Sequence, residues 1–355
     1  MKDYRIDSHK LLFHVGRVNS WLEGKTVYPI YMEVSPSGAC NHRCTFCGLD
    51  FMEYERRFLD WEIFRERISE LGRLGLKSMM HGGEGEPLFH KKIVSIVEHG
   101  KKCGIDQAFT TNAVLLTPET AEKILPHTEW IKVSLNAGTR ETYGTIHGTK
   151  ERDFDVVFKN IRAAVEIKKK NGYGCVVGIQ MILLPENRNE AVTLAEIARD
   201  VGVDYLVIKP YSQHPSSCTT KYANVSYEQD LHLAESLEKL CTPDFSVIFR
   251  IRAMQKWDEA EHPYRRCLAL PFWSYIDAGG NVWGCSVYLQ DERFLYGNIY
   301  DNTFQEIWEG EKRQKSLEWV ENELDPCDCR VNCRMDEINR YLWELVHPLA
   351  HVNFI

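Results

Sequence analysis

Three cysteines within one short segment constrain this chain more than any other feature of its sequence. Cys40, Cys44 and Cys47 are separated by three and then by two residues, in the run Cys-Asn-His-Arg-Cys-Thr-Phe-Cys. Such spacings let thiolates from one loop converge on a single centre, and in a chain without an export signal they favour metal or iron–sulfur ligation over disulfides. Three ligands are one fewer than a 4Fe–4S cluster normally takes, so one iron would stay open to another ligand.

Two other interpretations of this segment are a zinc knuckle and a set of buried structural cysteines. Zinc would need a fourth Cys or His nearby, and His42 lies inside the loop. The sequence around the segment decides between these interpretations.

Composition excludes several functional classes. The 355 residues are 44% hydrophobic and 26% charged, enough for a sizeable core in one large or two smaller domains. The net charge of −8 argues against non-specific nucleic-acid binding, which needs a concentrated positive surface. No apolar run reaches 18 residues and the first residues do not resemble a signal peptide, which predicts a cytoplasmic protein without membrane partners. Twelve cysteines in such a chain indicate a reducing compartment and cofactor ligation.

Hydrophobic periodicity predicts an α/β fold. Strand-like segments alternate with helical patterns at 28–34, 77–81, 107–111, 130–135, 175–184 and 205–209. This alternation predicts a parallel sheet wrapped by helices, which right-handed crossovers would close into a partial (βα)6 TIM-like barrel.

A small α+β domain, a hairpin plus a helix, is predicted to follow the barrel. Strands at 272–276 and 282–288 flank the turn Asp277–Asn281, and Thr303 with Glu306 forms a capping box for a helix. We therefore expect an N-terminal extension (1–27), a barrel core (28–215), a connecting segment (216–262), a C-terminal cluster-binding domain (263–340) and a tail (341–355).

Polar and glycine residues cluster where the predicted strands end, at the edge of a parallel barrel at which functional groups gather. Glycines allow a ligand to approach the backbone, and carboxylates can bind an ammonium group. Each site can also be a strand-end polar group that the protein itself satisfies. The candidates are Gly83, Glu84, Gly85, Glu86, Thr111, Asn112, Ser134, Asn136, Gln180 and Lys209.

The CxxxCxxC spacing, with the aromatic Phe46 before the last cysteine, resembles the signature of the radical SAM superfamily. The resemblance implies that Cys40, Cys44 and Cys47 hold a 4Fe–4S cluster whose open iron binds the amino and carboxylate groups of S-adenosylmethionine. One-electron reduction would then release a 5′-deoxyadenosyl radical that abstracts hydrogen from a substrate.

Three further motifs extend this resemblance. Gly83–Pro87 is similar to the superfamily's GGEP loop, which binds the methionyl amine; Glu86 matches the motif glutamate, and Glu84 replaces a glycine. Thr111 and Asn112 resemble the TNG stretch, with alanine in place of its glycine. Ser134 and Asn136 resemble the positions at which family members contact the ribose or carboxylate of S-adenosylmethionine, with Asn in place of the usual Asp. The implied cofactor-binding residues are Phe46, Gly83, Glu84, Gly85, Glu86, Thr111, Asn112, Ser134, Asn136 and Gln180.

A second set of cysteines lies near the C-terminus, at Cys267, Cys285, Cys327, Cys329 and Cys333. It resembles the SPASM or twitch extension of radical SAM enzymes, whose cysteines hold auxiliary 4Fe–4S clusters. A full SPASM pattern has seven cysteines and two clusters, so five cysteines predict one auxiliary 4Fe–4S cluster. Cys327 and Cys329 compete for the fourth ligand position, and a structural zinc site is the alternative.

The leading functional hypothesis is radical oxidation or rearrangement of a polar small molecule, such as a sugar, cyclitol or nucleoside derivative, with the auxiliary cluster assisting electron transfer. A peptide- or protein-modifying enzyme, similar to maturases of ribosomal peptides or of sulfatases, is the second hypothesis. The third is a zinc- or cluster-bearing binding protein without catalysis. Candidate catalytic groups are Cys218, Lys209 and Tyr211, and a flavodoxin or ferredoxin is the expected electron donor.

Overall fold

The computed structural model describes residues 8–259 and 262–354, and ten strands of these ranges form one continuous sheet. The strands are β1 (Tyr31–Val34), β2 (Ser78–His81), β3 (Asp106–Thr111), β4 (Thr128–Ser134), β5 (Val176–Leu183), β6 (Tyr205–Pro210), β7 (Ser246–Phe249), β8 (Trp273–Ile276), β9 (Asn281–Trp283) and β10 (Leu295–Asn298). Their order in the sheet is β10-β9-β8-β1-β2-β3-β4-β5-β6-β7.

Strands β1 to β7 are parallel throughout. The partial barrel predicted from the alternating pattern is confirmed. A seventh strand, β7, extends it beyond the six strands on which the prediction was based.

Helices connect these strands and continue into the C-terminal part of the chain. They are α1 (Val15–Leu22), α2 (Trp61–Arg73), α3 (Ile93–Lys102), α4 (Pro118–Ile124), α5 (Arg140–His147), α6 (Asp153–Asn171), α7 (Ala191–Val201), α8 (Leu233–Glu238), α9 (Ile251–Glu259), α10 (Phe304–Glu309), α11 (Glu311–Asn322) and α12 (Asp336–Val346). Their starts follow local chemistry, since the side chain of Asp60 accepts a hydrogen bond from the Ile63 amide and Thr303 forms a capping box with Glu306. No helix in the described ranges is long and apolar enough to cross a membrane.

The two faces of the barrel strands have different roles. Ile131, Val133, Ile179 and Leu206 are fully buried in the core that packs against the surrounding helices. Because successive side chains of a strand point to opposite faces, Lys132, Ser134, Gln180 and Lys209 project to the inner face, which we call the lumen. The lumen is therefore where polar strand residues meet.

The C-terminal hairpin is continuous with the barrel sheet. β8 pairs parallel with β1, β9 is antiparallel to β8, and β10 adds a third antiparallel strand that was not predicted. The second hairpin strand, predicted to run to residue 288, ends at Trp283. The Gly284 amide then donates to the Phe294 carbonyl, so the chain leaves the β8 edge and Cys285 lies outside the ladder. Helix α12 continues across residue 341, where the C-terminal tail was predicted to begin.

Candidate metal and cofactor site

The first cysteine segment follows β1 at the carboxyl end of the parallel strands. Its backbone is held against the end of α5, because the Arg43 amide donates to the His147 carbonyl (3.0 Å) and the Thr45 amide to the Ile146 carbonyl (2.9 Å). Burial raises the pKa of all three thiols, that of Cys40 to about 11; neighbouring thiols raise it further at Cys40 and Cys44, and Asp50 does so at Cys47. Three thiolates are therefore stable here only beside a strongly cationic centre, which is what an iron–sulfur cluster supplies.

Sulfur spacing distinguishes a cluster from a single zinc ion. Tetrahedral zinc with Zn–S bonds of about 2.3 Å places its sulfurs about 3.8 Å apart. Among the described residues, neither cysteine set contains three sulfurs that all lie within 4.8 Å of one another. Three thiols of either set therefore do not form a compact mononuclear zinc site among the described residues.

One compact group of ligand-type side chains does exist beside this segment, formed by His42, Cys44 and His147. The Nε2 atom of His147 accepts a hydrogen bond from the Asn136 amide (3.1 Å), so the ring proton lies on Nδ1. Nδ1 is 3.5 Å from the Cys44 sulfur and donates to it. Burial lowers the pKa of His147 well below its usual value, which keeps the ring neutral. Both ring nitrogens of His147 are thus engaged. We therefore interpret His147 as a hydrogen-bond donor to the Cys44 thiolate.

The glycine-rich loop after β2 packs tightly against the cysteine segment. A Cβ atom on Gly83, whose φ is +96°, would lie 2.0 Å from the Ser35 hydroxyl, and one on Gly85 would lie 2.3 Å from the Ser37 carbonyl. The Glu86 amide also donates to the Ala39 carbonyl (2.8 Å). Only glycine permits this approach of two backbone segments.

The two glutamates of this loop are buried and engage protein donors. The Glu86 carboxylate accepts hydrogen bonds from the Thr111 hydroxyl (2.6 Å) and from the amides of Asn112 (2.8 Å) and Leu88 (3.2 Å). Burial nevertheless raises its pKa to about 7. Glu84 accepts from the Ala278 amide (2.6 Å) and from Arg57 (3.1 Å), which joins the loop to the C-terminal hairpin. The binding of S-adenosylmethionine by these carboxylates stays a prediction.

Other candidates at the strand ends are hydrogen-bonded to the cysteine segment or to one another. Asn112 donates through Nδ2 to the Asn41 side chain (2.7 Å). Asn136 is fully buried, accepts from the Ile182 amide (2.6 Å) and donates to the Ser134 hydroxyl (3.5 Å). Ser134 and Gln180 are register partners on adjacent strands and keep partly exposed side chains.

The aromatic residue of the motif, Phe46, packs beside Tyr211 and Tyr222 and lies edge-on to the His147 ring, with centroids 5.7 Å apart.

Four C-terminal cysteines, Cys267, Cys285, Cys329 and Cys333, line one cavity. Burial raises the pKa of Cys267 to about 12 and that of Cys329 to about 11, and Cys333 is the thiol that raises both further. Cys327 does not line this cavity and is exposed. The structure thus groups Cys329, and not Cys327, with the three other thiols.

The loop after β6, residues 211–219, joins the two cysteine sets. The Asp50 carboxylate accepts from the amides of Cys218 (2.8 Å) and Thr219 (3.0 Å), and the Ser217 hydroxyl donates to the Cys47 carbonyl (3.2 Å). At its other side His214 Nε2 donates to the Ser286 carbonyl (3.2 Å), next to Cys285.

Sequence reasoning missed the structural role of Asp50 and His214 in this loop, because a single Asp or His far from a motif carries no local signal. Among the candidate catalytic groups, Cys218 is exposed on the loop and Tyr211 is buried with its hydroxyl donating to Gln213 (3.0 Å). Lys209 lies in the lumen at the end of β6.

Comparison with protein families identifies two matching regions. Residues 34–198 match the model of the radical SAM superfamily, and residues 267–334 match that of the SPASM iron–sulfur cluster-binding domain. The two regions contain the first and second cysteine sets, respectively.

Two curated relatives illustrate the range of similar sequences. An AdoMet-dependent heme synthase of Methanosarcina barkeri is 24% identical over 322 residues, which cover 86% of this chain and 87% of the relative. A probable GTP 3′,8-cyclase of Saccharolobus solfataricus is 29% identical over 175 residues, 49% of this chain and 54% of the relative. The chain therefore spans about half the length of the cyclase.

Among solved structures, Streptococcus suis SuiB bound to S-adenosylmethionine is similar with a TM-score of 0.64 and 16% identity, over 88% of this chain and 72% of SuiB. At this identity the likeness concerns the fold.

Proposed function

The chain belongs to the radical SAM superfamily and carries a C-terminal SPASM domain, and on this premise we propose that it abstracts a hydrogen atom from a polar small molecule bound in the lumen. The observation that carries the proposal is the placement of both cysteine sets. The first lies at the carboxyl end of β1, and the 211–219 loop contacts it and the residue next to Cys285.

Cys40, Cys44 and Cys47 would hold a 4Fe–4S cluster. With S-adenosylmethionine bound, this group supplies a 5′-deoxyadenosyl radical that takes hydrogen from a substrate. The role of the chain is to position the cofactor against the substrate and to shield both from competing reactions. Glu86 holds the end of β3 against the glycine-rich loop, and Asn112 ties β3 to Asn41 of the cysteine segment.

Cys267, Cys285, Cys329 and Cys333 would hold an auxiliary 4Fe–4S cluster, which supplies an electron acceptor or relay near the substrate. Cys327 is left out of this ligand set because it is exposed. A flavodoxin or ferredoxin is the proposed electron donor.

A small-molecule substrate is supported by the relative that aligns over most of both chains, which is named a heme synthase. A peptide substrate is the second candidate, because SuiB, with the same fold, has a structure bound to its precursor peptide SuiA. The two candidates differ in what stimulates 5′-deoxyadenosine formation, a small molecule or a peptide.

The test measures iron and sulfide, with EPR, on anaerobically reconstituted protein and on a Cys40/Cys44/Cys47→Ala triple variant. Two 4Fe–4S clusters predict about eight irons per chain, falling to about four in the variant. The same preparations are assayed for S-adenosylmethionine binding and for 5′-deoxyadenosine after reduction.

The outcomes separate the parts of the proposal. About four irons falling to none would remove the auxiliary cluster and its electron-transfer role. No iron in either protein, or iron without S-adenosylmethionine binding, would refute the enzyme assignment.

A further inference from the structure

Two lysines project into the lumen from neighbouring parts of the barrel. Lys132 on β4 lies between the buried core residues Ile131 and Val133, and Lys209 on β6 follows the buried Ile208. Strand alternation therefore directs both ammonium groups away from the helices and toward the interior. In register, Lys132 is opposite Thr110 of β3 and Lys209 is opposite Ile182 of β5.

Neither lysine side chain has an anionic partner within hydrogen-bonding or ion-pairing distance among the described residues. The Lys132 ammonium lies 5.5 Å from the centroid of the Trp130 ring. Both side chains are only partly exposed, and an ammonium group that is largely removed from water favours an anionic partner.

Two arginines of the second cysteine segment face the same space and are already engaged. Arg334 pairs with Glu33 of β1, whose carboxylate also accepts from the Tyr31 hydroxyl (2.9 Å). Arg330 donates to the hydroxyl and carbonyl oxygens of Ser212 (3.1 and 3.0 Å). The Glu33 carboxylate is thus already paired with Arg334 and forms no ion pair with either lysine.

Like charges dominate the surroundings of Lys209. Burial lowers its pKa well below the usual value, and Lys132, Arg330, Arg250 and Arg334 lower it further. The pKa of Lys132 falls to about 8, from burial and from Arg334, with Glu33 opposing the shift. The groups that act most strongly on Lys209 are all cations, so its environment favours an incoming anion.

The auxiliary cluster does not account for this positive charge. Glu33 offsets one of the four charges of Lys132, Lys209, Arg330 and Arg334, and a 4Fe–4S cluster with four thiolates carries about two negative charges. When both lysines are protonated, at least one positive charge is left over. The arginines lie beside Cys333, whereas no cysteine is among the groups that act most strongly on the two lysines.

We propose that the lumen binds its substrate through an anionic group, a carboxylate or a phosphate, held by Lys209 and Lys132. The inference rests on the proposed function for its location and narrows the substrate to acidic molecules. Lys209 precedes the loop that touches both cysteine sets, so the anion would fix one end of the substrate between them. A charge-assisted pair of contacts is well suited to this anchoring role.

The experiment measures binding of glutarate, inorganic phosphate and the neutral glutaramide to the reconstituted holoenzyme by calorimetry. We compare wild type with Lys209→Met and Lys132→Met, and with Lys159→Met, an exposed lysine of α6, as the matched control. Glutarate or phosphate should bind to wild type and glutaramide should not, and which anion binds identifies the group. Each lumen variant should weaken anion binding about tenfold or more, and the control should not.

Thermal unfolding of the same proteins is a second measurement. In it we expect the lumen variants to gain stability, although they lose affinity for the anion. Replacing a partly buried ammonium group, which neighbouring cations repel, by an apolar side chain of similar length should raise the unfolding temperature of the lumen variants. A lysine kept for structural reasons would lower it.

Wild-type affinity for the anions in Lys209→Met, equal binding of glutaramide, or a lower unfolding temperature would each overturn the inference. Iron content and S-adenosylmethionine binding, measured on the same wild-type preparation, test the proposed function separately. An enzyme that contains iron and binds S-adenosylmethionine, but binds neither glutarate nor phosphate, therefore refutes only the inference of an anionic substrate.

Discussion

At the residue scale, His147 is placed to influence the proposed cluster through a hydrogen bond to Cys44. Its Nε2 atom accepts from the Asn136 amide, which leaves Nδ1 to donate to the Cys44 sulfur. A hydrogen bond to a cluster thiolate withdraws electron density and raises the reduction potential of the cluster.

Replacing His147 with phenylalanine should therefore make the first cluster harder to reduce. A hydrogen bond worth about 0.5–1.5 kcal/mol corresponds to a shift of about 20 to 60 mV for one electron. An EPR-monitored redox titration measures the shift. His99→Phe is the control, because His99 contacts Cys103 (3.6 Å), a cysteine outside both sets; an equal shift in both variants would contradict the assignment.

The two competing cysteines of the second set make a matched pair for another residue-scale prediction. Cys329→Ala should lose about four irons per chain or yield a damaged cluster signal, because this thiol lines the cavity with three others. Cys327→Ala should retain the full iron content, since its side chain is exposed. Iron and sulfide analysis of the reconstituted variants decides between the two cysteines. The reverse pattern would make Cys327 the ligand in place of Cys329.

At the scale of elements, the glycine-rich loop depends on contact between three separate segments. Gly83 is held at a positive φ between Ser35 of the β1 end and Tyr275 of β8, whose hydroxyls are themselves hydrogen-bonded (2.5 Å). The loop thus joins the barrel to the C-terminal hairpin, as Glu84 also does through Ala278.

Gly83→Ala should destabilise the protein by about 2–4 kcal/mol, because the methyl group adds a steric clash to the strain of positive φ. Gly104→Ala should cost only about 1 kcal/mol, since Gly104 also has a positive φ but nothing lies within 4 Å of its added Cβ. Chemical denaturation compares the two free energies of unfolding. Equal losses of unfolding free energy in the two variants would mean that backbone strain alone, without a steric clash, accounts for the effect at Gly83.

At the scale of the whole molecule, the lumen collects charge from strands that are far apart in sequence. Lys132 faces Arg334, Glu33, Arg250 and the Trp130 ring, and its pKa of about 8 lies below the usual lysine value because of burial and then Arg334. Lys132 therefore carries its charge below pH 8 and loses it as the pH rises.

Affinity of the holoenzyme for the anion that binds should accordingly fall above pH 8, by up to about tenfold per pH unit for one linked proton. The Lys132→Met variant should bind more weakly and show a flatter pH profile over the same range. Calorimetry between pH 7 and 9.5 measures both, and identical profiles in wild type and variant would exclude Lys132 from the anion site.

Much of this organisation could be predicted from local sequence. The three-cysteine segment, the strand–helix alternation and the caps at Asp60 and Thr303 depend on residues a few positions apart, whose interactions are formed within one element. Short-range signals of this kind predicted the partial barrel and the family.

The sequence by itself determined which chemistry the chain can support, because thiol spacing and strand periodicity are local properties. Only the tertiary structure decided which remote groups meet: β8 beside β1, Cys329 in the cavity with Cys267, and Lys132 near Lys209, with no carboxylate paired to either lysine among the described residues. These pairings depend on how distant segments pack and on the desolvation of charges in the lumen, and neither quantity is encoded in the spacing of neighbouring residues.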